Sequence, residues 1–450
     1  MKNKLFEEFS DVSSKEWKQK IQADLKGADY NETLIWKTNE GIDVKPFYHA
    51  DEFSSLPNVS SSQATQWHIC DTIFVSDVKK SNHYAKEFLS RGAQSIKFII
   101  PSKDVSLNTL LKGIDAYANS LYFELKFLDS KFAKTLAQFP FEAKIYINTD
   151  IIGNLARTGN WFTSLEADHQ HFDTIIKETS TFSVDLSLFQ NAGATIIQQL
   201  AYALAQSNEY LNHVDNKESI HVIFNVSVGT NYFFEIAKLR ALRLLWKTLA
   251  SEYNITSDCH IFATPTKRNK TLYDYNTNLL RTTTECMSAI LGGANTINNL
   301  AYDAIYHKSN EFGNRISRNQ LLVLKHESYF DKVNNPSDGT YYIESLTQQL
   351  AEKALELFKD IERNGGFLKQ LKEGIIQRKI KESAETEQTQ FNFGEEVLLG
   401  TNKHPNPNDK MKHELELYPF VKTNPRKTLV EPIIEKRLAE TTEQNRLKTE

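Results

Sequence analysis

The alternation of apolar runs with amphipathic segments is the feature that most constrains how this 450-residue chain can fold. Eight runs rich in β-branched and aromatic residues lie at 67–75, 95–100, 121–127, 143–147, 181–188, 220–228, 260–263 and 294–297. Helical spacing of apolar residues is clearest at 192–211, 232–251, 276–291, 312–329 and 341–374. Eight strands that alternate with helices over this length predict an α/β fold, a (β/α)8 TIM barrel. A doubly wound open sheet stays the alternative because it has the same alternation.

The helix predicted at 276–291 shows one step of this alternation in detail. Asn276 or the next residue is a suitable N-cap, because a side-chain oxygen there can accept a hydrogen bond from the first turn. Gly292 and Gly293 predict the end of the helix, since glycine adopts the left-handed cap conformation without steric cost. The run at 294–297 follows directly and is the last predicted strand.

The regular rhythm divides the chain into three parts. Residues 1–60 form an N-terminal arm, 61–400 the barrel with its trailing helices, and 401–450 a short C-terminal extension whose last residues, 442–450, we expect to be frayed. The arm opens with a predicted capped helix after Ser13. It carries six aromatic residues that need a surface to cover, on this domain or on a partner: Phe6, Phe9, Trp17, Trp36, Phe47 and Tyr48.

Charge and cysteine content exclude several classes of protein. The formal net charge is −4, from 53 basic and 57 acidic residues, so no global field favours nucleic acid or a membrane surface. The three cysteines are odd in number and far apart, which fits a reducing compartment. The N-terminus has no apolar signal-peptide core, and no apolar run reaches about 18 residues. We therefore expect a cytoplasmic protein.

Three other groups of polar residues invite a functional interpretation. Glu166, Asp168, His169 and His171 could form a metal site, but they lie in a polar connection where a solvated loop is the commoner explanation. Charged residues on one predicted helix, Glu235, Lys238, Arg240 and Arg243, are expected to form surface ion pairs. His260 opens an apolar strand, so it is interpreted as a core histidine. No Ser/His/Asp set, P-loop or GxGxxG motif occurs.

Seven segments occur in a fixed order along the chain. They are GIDVKP at 41–46, AGAT at 192–195, FFEIAKLRA at 233–241, NLLRTTTE at 278–285, LGG at 291–293, RISRN at 315–319 and NPSDG at 335–339. In these segments and their order, the chain resembles the barrel domain of the adenosylcobalamin-dependent methylmalonyl-CoA mutase family over roughly residues 25–405. The resemblance implies a barrel fold, and a buried or interface role for the charged residues of 233–241.

The chain departs from that family where a catalytic barrel would carry its site. Before AGAT, the family typically has a Tyr-His pair and a Glu, whereas this chain has Ser187, Leu188 and Asn191. An imidazole that can donate a hydrogen bond is thus replaced by an isobutyl group that cannot.

Two further site segments differ in the same way. After the seventh strand the family has a His followed by QTSG. This chain instead reads TPTKRN, so Thr264 and Thr266 stand in that segment. The family's RGxYxxMY segment before the first strand has no counterpart in residues 58–66. Radical chemistry needs a shaped, dry cavity, so three degraded segments predict a barrel that is not itself catalytic.

The family's cofactor ligand is also absent. Members bind cobalamin through a flavodoxin-like domain with a DxHxxG motif, which this sequence lacks, and only 50 residues follow Gly400. We therefore expect that this chain binds no cofactor and that adenosylcobalamin is held by a partner.

The resemblance implies a non-catalytic small subunit that forms a heterodimer with a large (alpha) mutase subunit, in which (R)-methylmalonyl-CoA and succinyl-CoA are interconverted. Trp17, Trp36, Phe47 and Tyr48 of the arm are the expected partner contacts. One alternative is a catalytic barrel of a related acyl-CoA mutase that uses a separate cobalamin-binding chain. Another is a stand-alone chaperone of the mutase, although no nucleotide motif is present.

Overall fold

Eight parallel strands dominate the computed structural model, which describes residues 8–56, 64–114, 120–142, 144–215, 217–422 and 425–450. In chain order the strands are β1 (Trp36–Lys37), β2 (Asp43–Val44), β3 (His68–Phe74), β4 (Ser95–Ile100), β5 (Ser120–Leu125), β6 (Lys144–Asn148), β7 (Thr181–Asp185), β8 (His221–Val228), β9 (His260–Pro265) and β10 (Thr296–Asn298). The strands β3 to β10 form the eight-stranded sheet, while β1 and β2 pair with each other in the arm.

The sheet curves into a nearly closed barrel. Hydrogen-bonded neighbours follow the order β6, β5, β4, β3, β10, β9, β8, β7, and every pair is parallel. The two ends of the sheet meet where the N–H of Ser183 in β7 donates to the carbonyl of Thr149, just after β6, over 3.1 Å. The predicted (β/α)8 barrel is confirmed, and the open-sheet alternative is wrong.

Helices surround the barrel and extend beyond it. They are α1 (Ser14–Asp24), α2 (Tyr30–Leu34), α3 (Val78–Ser90), α4 (Leu107–Leu110), α5 (Ser130–Ala137), α6 (Ile151–Thr158), α7 (Leu165–Thr179), α8 (Leu186–Asn191), α9 (Ile196–His213), α10 (Tyr232–Glu252), α11 (Thr277–Leu291), α12 (Glu311–His326), α13 (Tyr341–Arg363), α14 (Phe367–Lys372), α15 (Ile375–Phe393) and α16 (Glu440–Thr449). Among the described residues, none of these helices is both long and apolar enough to cross a bilayer.

Local hydrogen bonds and glycine residues set the ends of helices and strands more than the apolar pattern does. The strand predicted at 181–188 ends at Asp185, because this carboxylate accepts the Ser187 N–H over 3.0 Å and starts α8. The end of α11 is as predicted: Gly293 has a φ of 86° and terminates the helix. Asn276 precedes α11, but its side chain makes no capping hydrogen bond.

The charged residues of α10 are buried, so their interpretation as surface ion pairs is wrong and the buried role implied by the family resemblance is confirmed. Glu235, Lys238, Arg240 and Arg243 are each less than 5% exposed. Arg240 pairs with Glu344 of α13 over 2.7 Å, which joins two helices that pack side by side. The amphipathic pattern misleads here because both faces of α10 are covered, one by the barrel and one by α13.

The inner half of the arm docks on its own barrel. Ile42 is fully buried in the large core cluster, and the Trp36 ring contacts Phe234 of α10 with ring centroids 5.9 Å apart. Tyr48 lies against Tyr342 of α13 at a centroid distance of 5.2 Å. These contacts make residues 36–53 part of the barrel's surface layer. Docking on its own domain was one of the two alternatives for the arm, the other being contact with a partner.

Glu40 fastens this inner half to helix α9. Its two carboxylate oxygens accept the N–H groups of Ile196 and Ile197 over 2.8 and 3.0 Å, at the start of the helix. Two otherwise unpaired backbone donors are satisfied, and the negative charge sits at the positive end of the helix dipole.

We expect Glu40→Ala to lower the free energy of unfolding by about 0.5–2 kcal/mol, the usual effect of losing a helix-capping side chain. Glu32→Ala is the matched control, because Glu32 is an exposed carboxylate on α2 of the same arm. Denaturant titration of both variants measures the difference. Equal stability of the two variants would show that the Glu40 contact does not hold the arm.

The C-terminal extension is docked, so the expectation that its last residues are frayed is wrong. Glu443 of α16 is buried, accepts the Leu272 N–H over 2.8 Å and pairs with Arg437 over 2.7 Å. The terminal Glu450 side chain accepts the N–H of Met411 over 2.9 Å. Fraying was predicted because this segment has few apolar residues. The helix is instead held by charged side chains, whose contacts composition does not indicate.

Candidate functional site at the barrel mouth

A polar cavity of about 740 Å³ opens at the carboxyl ends of the barrel strands. This is the face where enzymes with this fold place their reactive groups, because eight loops converge there. The cavity has an aromatic floor, a ring of polar side chains above it and a rim formed partly by the C-terminal extension.

The floor is an aromatic plug that fills the barrel axis. Tyr122 and Tyr146 stack with ring centroids 4.8 Å apart, and Phe262 meets Tyr122 edge-on at 4.8 Å. His260 completes the plug, with its Nε2 atom 2.9 Å from the Tyr122 hydroxyl. Burial lowers the pKa of His260 to about 3, so the ring is neutral at physiological pH. The interpretation of His260 as a core histidine is confirmed.

Above the plug lies a polar ring, defined here as Thr72, Lys97, Glu124, Asn148, Asn225 and Asn298. Most ring residues follow an inward-facing residue two positions earlier in the same strand, as Glu124 follows Tyr122 and Asn148 follows Tyr146. A two-residue step keeps the side chain on the same face of a strand and moves it towards the carboxyl end. The ring is therefore the next interior layer of the barrel.

Ring members pair with one another. Lys97 and Glu124 form an ion pair at 2.8 Å, and Lys97 holds the pKa of the Glu124 carboxyl well below its usual range. The Thr72 hydroxyl donates to Asn298 Oδ1 over 2.9 Å. Asn148 donates to Asn225 across 3.3 Å. The layer is a set of hydrogen-bonded pairs around open space.

The C-terminal extension supplies one side of the rim. Glu435 pairs with Arg157 over 2.9 Å and accepts a hydrogen bond from the Asn191 amide over 3.0 Å. Arg157 also pairs with Asp185 at the end of β7. Backbone N–H groups of the extension bind the loops beneath, as Lys436 does to the Asn191 carbonyl over 3.0 Å. The extension thus lies across the loops that follow β6, β7 and β9.

The structure brings together most of the positions where the sequence predicted a degenerate site. Ser187, Asn191 and Thr264 line the cavity, and the Thr266 hydroxyl donates to Asn191 Oδ1 over 2.7 Å. Leu188 instead points into the apolar core between barrel and helices, where it is 1% exposed. Leu188 is thus a packing residue, while residues 58–63 of the third segment lie outside the described part.

The polar ring was missed by sequence reasoning. In a closed barrel both faces of a strand are buried, so its residues are expected to be mostly apolar. A single asparagine within such a run does not by itself indicate a functional site. A useful signal was available in the spacing: Asn148, Asn225 and Asn298 each stand at or near the carboxyl end of a predicted strand, where side chains converge.

The group weighed as a metal site, Glu166 to His171, lies on helix α7, so its interpretation as a solvated loop is wrong. Asp168 is buried on α7 and accepts the N–H groups of Phe162 and Thr163 over 2.7 and 3.0 Å, which is a structural role. His171 lies 2.9 Å from the Ser130 hydroxyl. Within the described ranges, no three His, Cys, Asp or Glu residues are grouped as metal ligands.

Two histidines of the described residues lie near the barrel axis, one at the mouth and one deeper in the barrel. His307 is the histidine that lines the cavity, and its Nδ1 atom lies 3.2 Å from Asp303. The adjoining Tyr306 carbonyl is bound by the N–H groups of Glu416 and Leu417, so the extension packs against this segment. His260, in the sequence D-C-H-I-F-A at 258–263, is part of the plug, where its Nε2 atom lies 2.9 Å from the Tyr122 hydroxyl. The His307 side chain is 29% exposed, so it is accessible at the mouth, whereas His260 is enclosed by the aromatic side chains.

Comparison with known proteins adds an independent line of information. The family model described as methylmalonyl-CoA mutase matches residues 141–447. The methylmalonyl-CoA mutase small subunit of Porphyromonas gingivalis is 35% identical over 445 aligned residues, which cover 90% of this chain and 72% of that protein.

Longer relatives match more weakly. The methylmalonyl-CoA mutase of Rhizobium meliloti is 28% identical over 88% of this chain, and the mitochondrial methylmalonyl-CoA mutase of Homo sapiens is 25% identical over 86%. The alignments cover 64% and 60% of those two proteins. This chain thus spans less than two thirds of the length of either mutase.

Proposed function

We propose, since this chain belongs to the methylmalonyl-CoA mutase family, that it is the non-catalytic small subunit of a heterodimeric mutase. The large subunit carries adenosylcobalamin and interconverts (R)-methylmalonyl-CoA and succinyl-CoA. This chain contributes a homologous barrel that stabilises the assembled enzyme, which is sufficient reason to retain an inactive barrel. Its three cysteines are unpaired and buried, in keeping with a cytoplasmic location.

The chemistry of the mouth is the observation that carries the proposal. Where the family resemblance places an imidazole, Leu188 packs in the core and Thr264 offers only a hydroxyl. A radical rearrangement needs groups that hold the substrate and its intermediate in a dry, fitted space. Here the aromatic plug fills the barrel axis, and the side chains of the polar ring above it form hydrogen bonds and an ion pair with one another.

A second candidate keeps the chemistry in this chain. The barrel would be the catalytic subunit of a related acyl-CoA mutase that borrows a separate cobalamin-binding chain. The cavity at the mouth favours this candidate, because it is open and polar. The misfit at Leu188 and Thr264 weighs against it.

We expect the isolated chain to bind no adenosylcobalamin. The sequence lacks the DxHxxG motif through which the family binds cobalamin, and the extension covers one side of the rim. Gel filtration after incubation with the cofactor, monitored by corrin absorbance, measures retention. Cobalamin that elutes with the chain in a one-to-one ratio would contradict this expectation.

Co-purification from the native source tests the partner directly. We expect a second, larger chain of the same family in equal amount, identified by mass spectrometry. Recovery of a small cobalamin-binding chain without a barrel would favour the second candidate. Recovery of this chain alone under low-salt conditions would contradict both.

A further inference from the structure

We propose that His169 and His213 form a surface site for one divalent transition-metal ion that prefers nitrogen ligands, with Cu²⁺ bound most tightly. The two residues lie on the outer helices α7 and α9, and neither lines the cavity at the mouth. The site goes beyond the subunit role, because it needs neither cobalamin nor acyl-CoA. Its failure would leave the proposed subunit role intact.

The packing of α7 on α9 places the two histidines side by side. Phe172 of α7 stacks on Tyr210 of α9 with ring centroids 4.7 Å apart, and both rings are buried. His169 comes three residues before Phe172, so the two lie on one face of α7. His213 comes three residues after Tyr210 and lies on the corresponding face of α9. Both histidines are therefore carried by helices that a buried aromatic stack holds together.

Hydrogen bonds determine which nitrogen of each imidazole is available. His169 Nδ1 lies 2.7 Å from the Leu165 carbonyl, and His213 Nε2 lies 2.7 Å from Asp173 Oδ1. Both partners only accept, so these two nitrogens carry the hydrogens. His169 Nε2 and His213 Nδ1 therefore keep their lone pairs in the neutral rings. Neither of these two nitrogens has a hydrogen-bond partner among the described residues.

This arrangement is typical of histidines that ligate metals. Such a histidine nearly always donates its second ring N–H to a backbone carbonyl or a carboxylate, which orients the ring and makes it a better ligand. Leu165 supplies the carbonyl for His169, and Asp173 supplies the carboxylate for His213. Asp173 also brings a negative charge next to the site, which favours a cation there.

The separation of the two rings fits a single ion. Histidine nitrogen binds Zn²⁺ at about 2.0–2.1 Å, so two imidazoles at neighbouring positions around one ion have centroids roughly 4.5–5.2 Å apart. The centroids of His169 and His213 are 4.7 Å apart. Both side chains reach solvent, so water completes the coordination. A site with two protein ligands is compatible with the lack of any three-residue metal-ligating group in the described ranges.

The ligand type selects the class of ion. Imidazole suits copper, zinc and nickel, whereas Mg²⁺ and Ca²⁺ take oxygen ligands. Among the divalent ions of this series, Cu²⁺ binds a given set of nitrogen and oxygen ligands most tightly. Ligation requires neutral imidazole, because a protonated ring has no lone pair to offer. Binding is therefore expected to weaken in acid.

Titration calorimetry of the full chain tests the proposal, with Cu²⁺ and Zn²⁺ as probes and Mg²⁺ as the control ion. We expect one tight equivalent of Cu²⁺ at neutral pH, weaker binding of Zn²⁺ and no binding of Mg²⁺. Lowering the pH to about 5 should weaken Cu²⁺ binding by about tenfold or more, since histidine is protonated there. Electron paramagnetic resonance of the Cu²⁺ complex should show hyperfine coupling to two nitrogen ligands, a readout that requires no variant.

Point variants locate the site. His169→Ala and His213→Ala should each weaken Cu²⁺ binding by about tenfold or more, because a single imidazole remains. His83→Ala, which removes an exposed histidine from α3, is the matched control with unchanged binding. Circular dichroism checks that all three variants are folded.

Four results would overturn the proposal. They are the absence of a tight Cu²⁺ equivalent, coupling to fewer than two nitrogens, Cu²⁺ binding that neither His169→Ala nor His213→Ala weakens, and equal weakening by His83→Ala. Because the first two are measured on the unaltered chain, the proposal stays testable even if a variant does not fold.

Discussion

Glu235→Ala is expected to lower the free energy of unfolding by about 3–5 kcal/mol, the usual effect of leaving one partner of a buried ion pair alone. Lys238 is fully buried, and its ammonium group lies 2.5 Å from Glu235 Oε2. Burial lowers the pKa of Lys238, although Glu235 partly opposes that shift. Removing the carboxylate therefore leaves a cation, or forces a neutral amine, in the core between barrel and helices.

The same carboxylate also binds backbone and side-chain donors, which adds to the expected loss. Glu235 Oε1 accepts the Gly229 N–H over 2.8 Å and the Gln190 amide over 3.1 Å. Denaturant titration by circular dichroism measures the effect. Asp24→Asn is the control: Asp24 pairs with Lys20 one turn away on an exposed helix, and losing that pair should cost under about 1 kcal/mol. A loss at Glu235 no larger than at Asp24 would contradict the buried-pair account.

Removing the outer arm is expected to abolish co-elution with the large subunit while the barrel stays folded. Helix α1 has no buried residue, and Trp17 is 50% exposed although its ring contacts Phe47. Deleting residues 1–28 removes α1 but keeps Glu40 and Ile42, which dock on the barrel. An exposed tryptophan is a frequent centre of interface energy, because it buries a large area on binding.

Point variants sharpen this test. Trp17→Ala and Trp36→Ala should each weaken the complex by about 2 kcal/mol or more, roughly thirtyfold. Tyr84→Ala, which removes a comparably exposed ring on α3, should leave the affinity unchanged. Co-elution and titration calorimetry measure both. Undiminished affinity after the deletion and in both tryptophan variants would show that neither α1 nor Trp36 is a partner contact.

The barrel was predictable because its strands are short apolar runs separated by capped helices, and each of these signals is local. The eight barrel strands, β3 to β10, overlap the eight predicted runs. Strand β9, for example, ends at Pro265, two residues after the run at 260–263. The Gly292–Gly293 helix end was equally predictable, since glycine's left-handed conformation is a property of one residue.

Features that depend on distant contacts were not predictable. The burial of Arg240 follows from α13, more than a hundred residues later, packing over α10 and supplying Glu344 as its partner. The docking of 442–450 depends on Arg437 and Leu272 meeting Glu443. The polar ring arises from six strands that converge on one axis, and each strand alone contributes a single unremarkable polar residue.

A mixing experiment tests the central claim, that the chemistry lies outside this barrel. Turnover of (R)-methylmalonyl-CoA is measured with adenosylcobalamin for four samples: this chain alone, the chain with a cobalamin-binding domain that lacks a barrel, the large subunit alone, and the two subunits in equal amounts. We expect succinyl-CoA to form only where the large subunit is present. Turnover by this chain with the barrel-less cobalamin domain would contradict it.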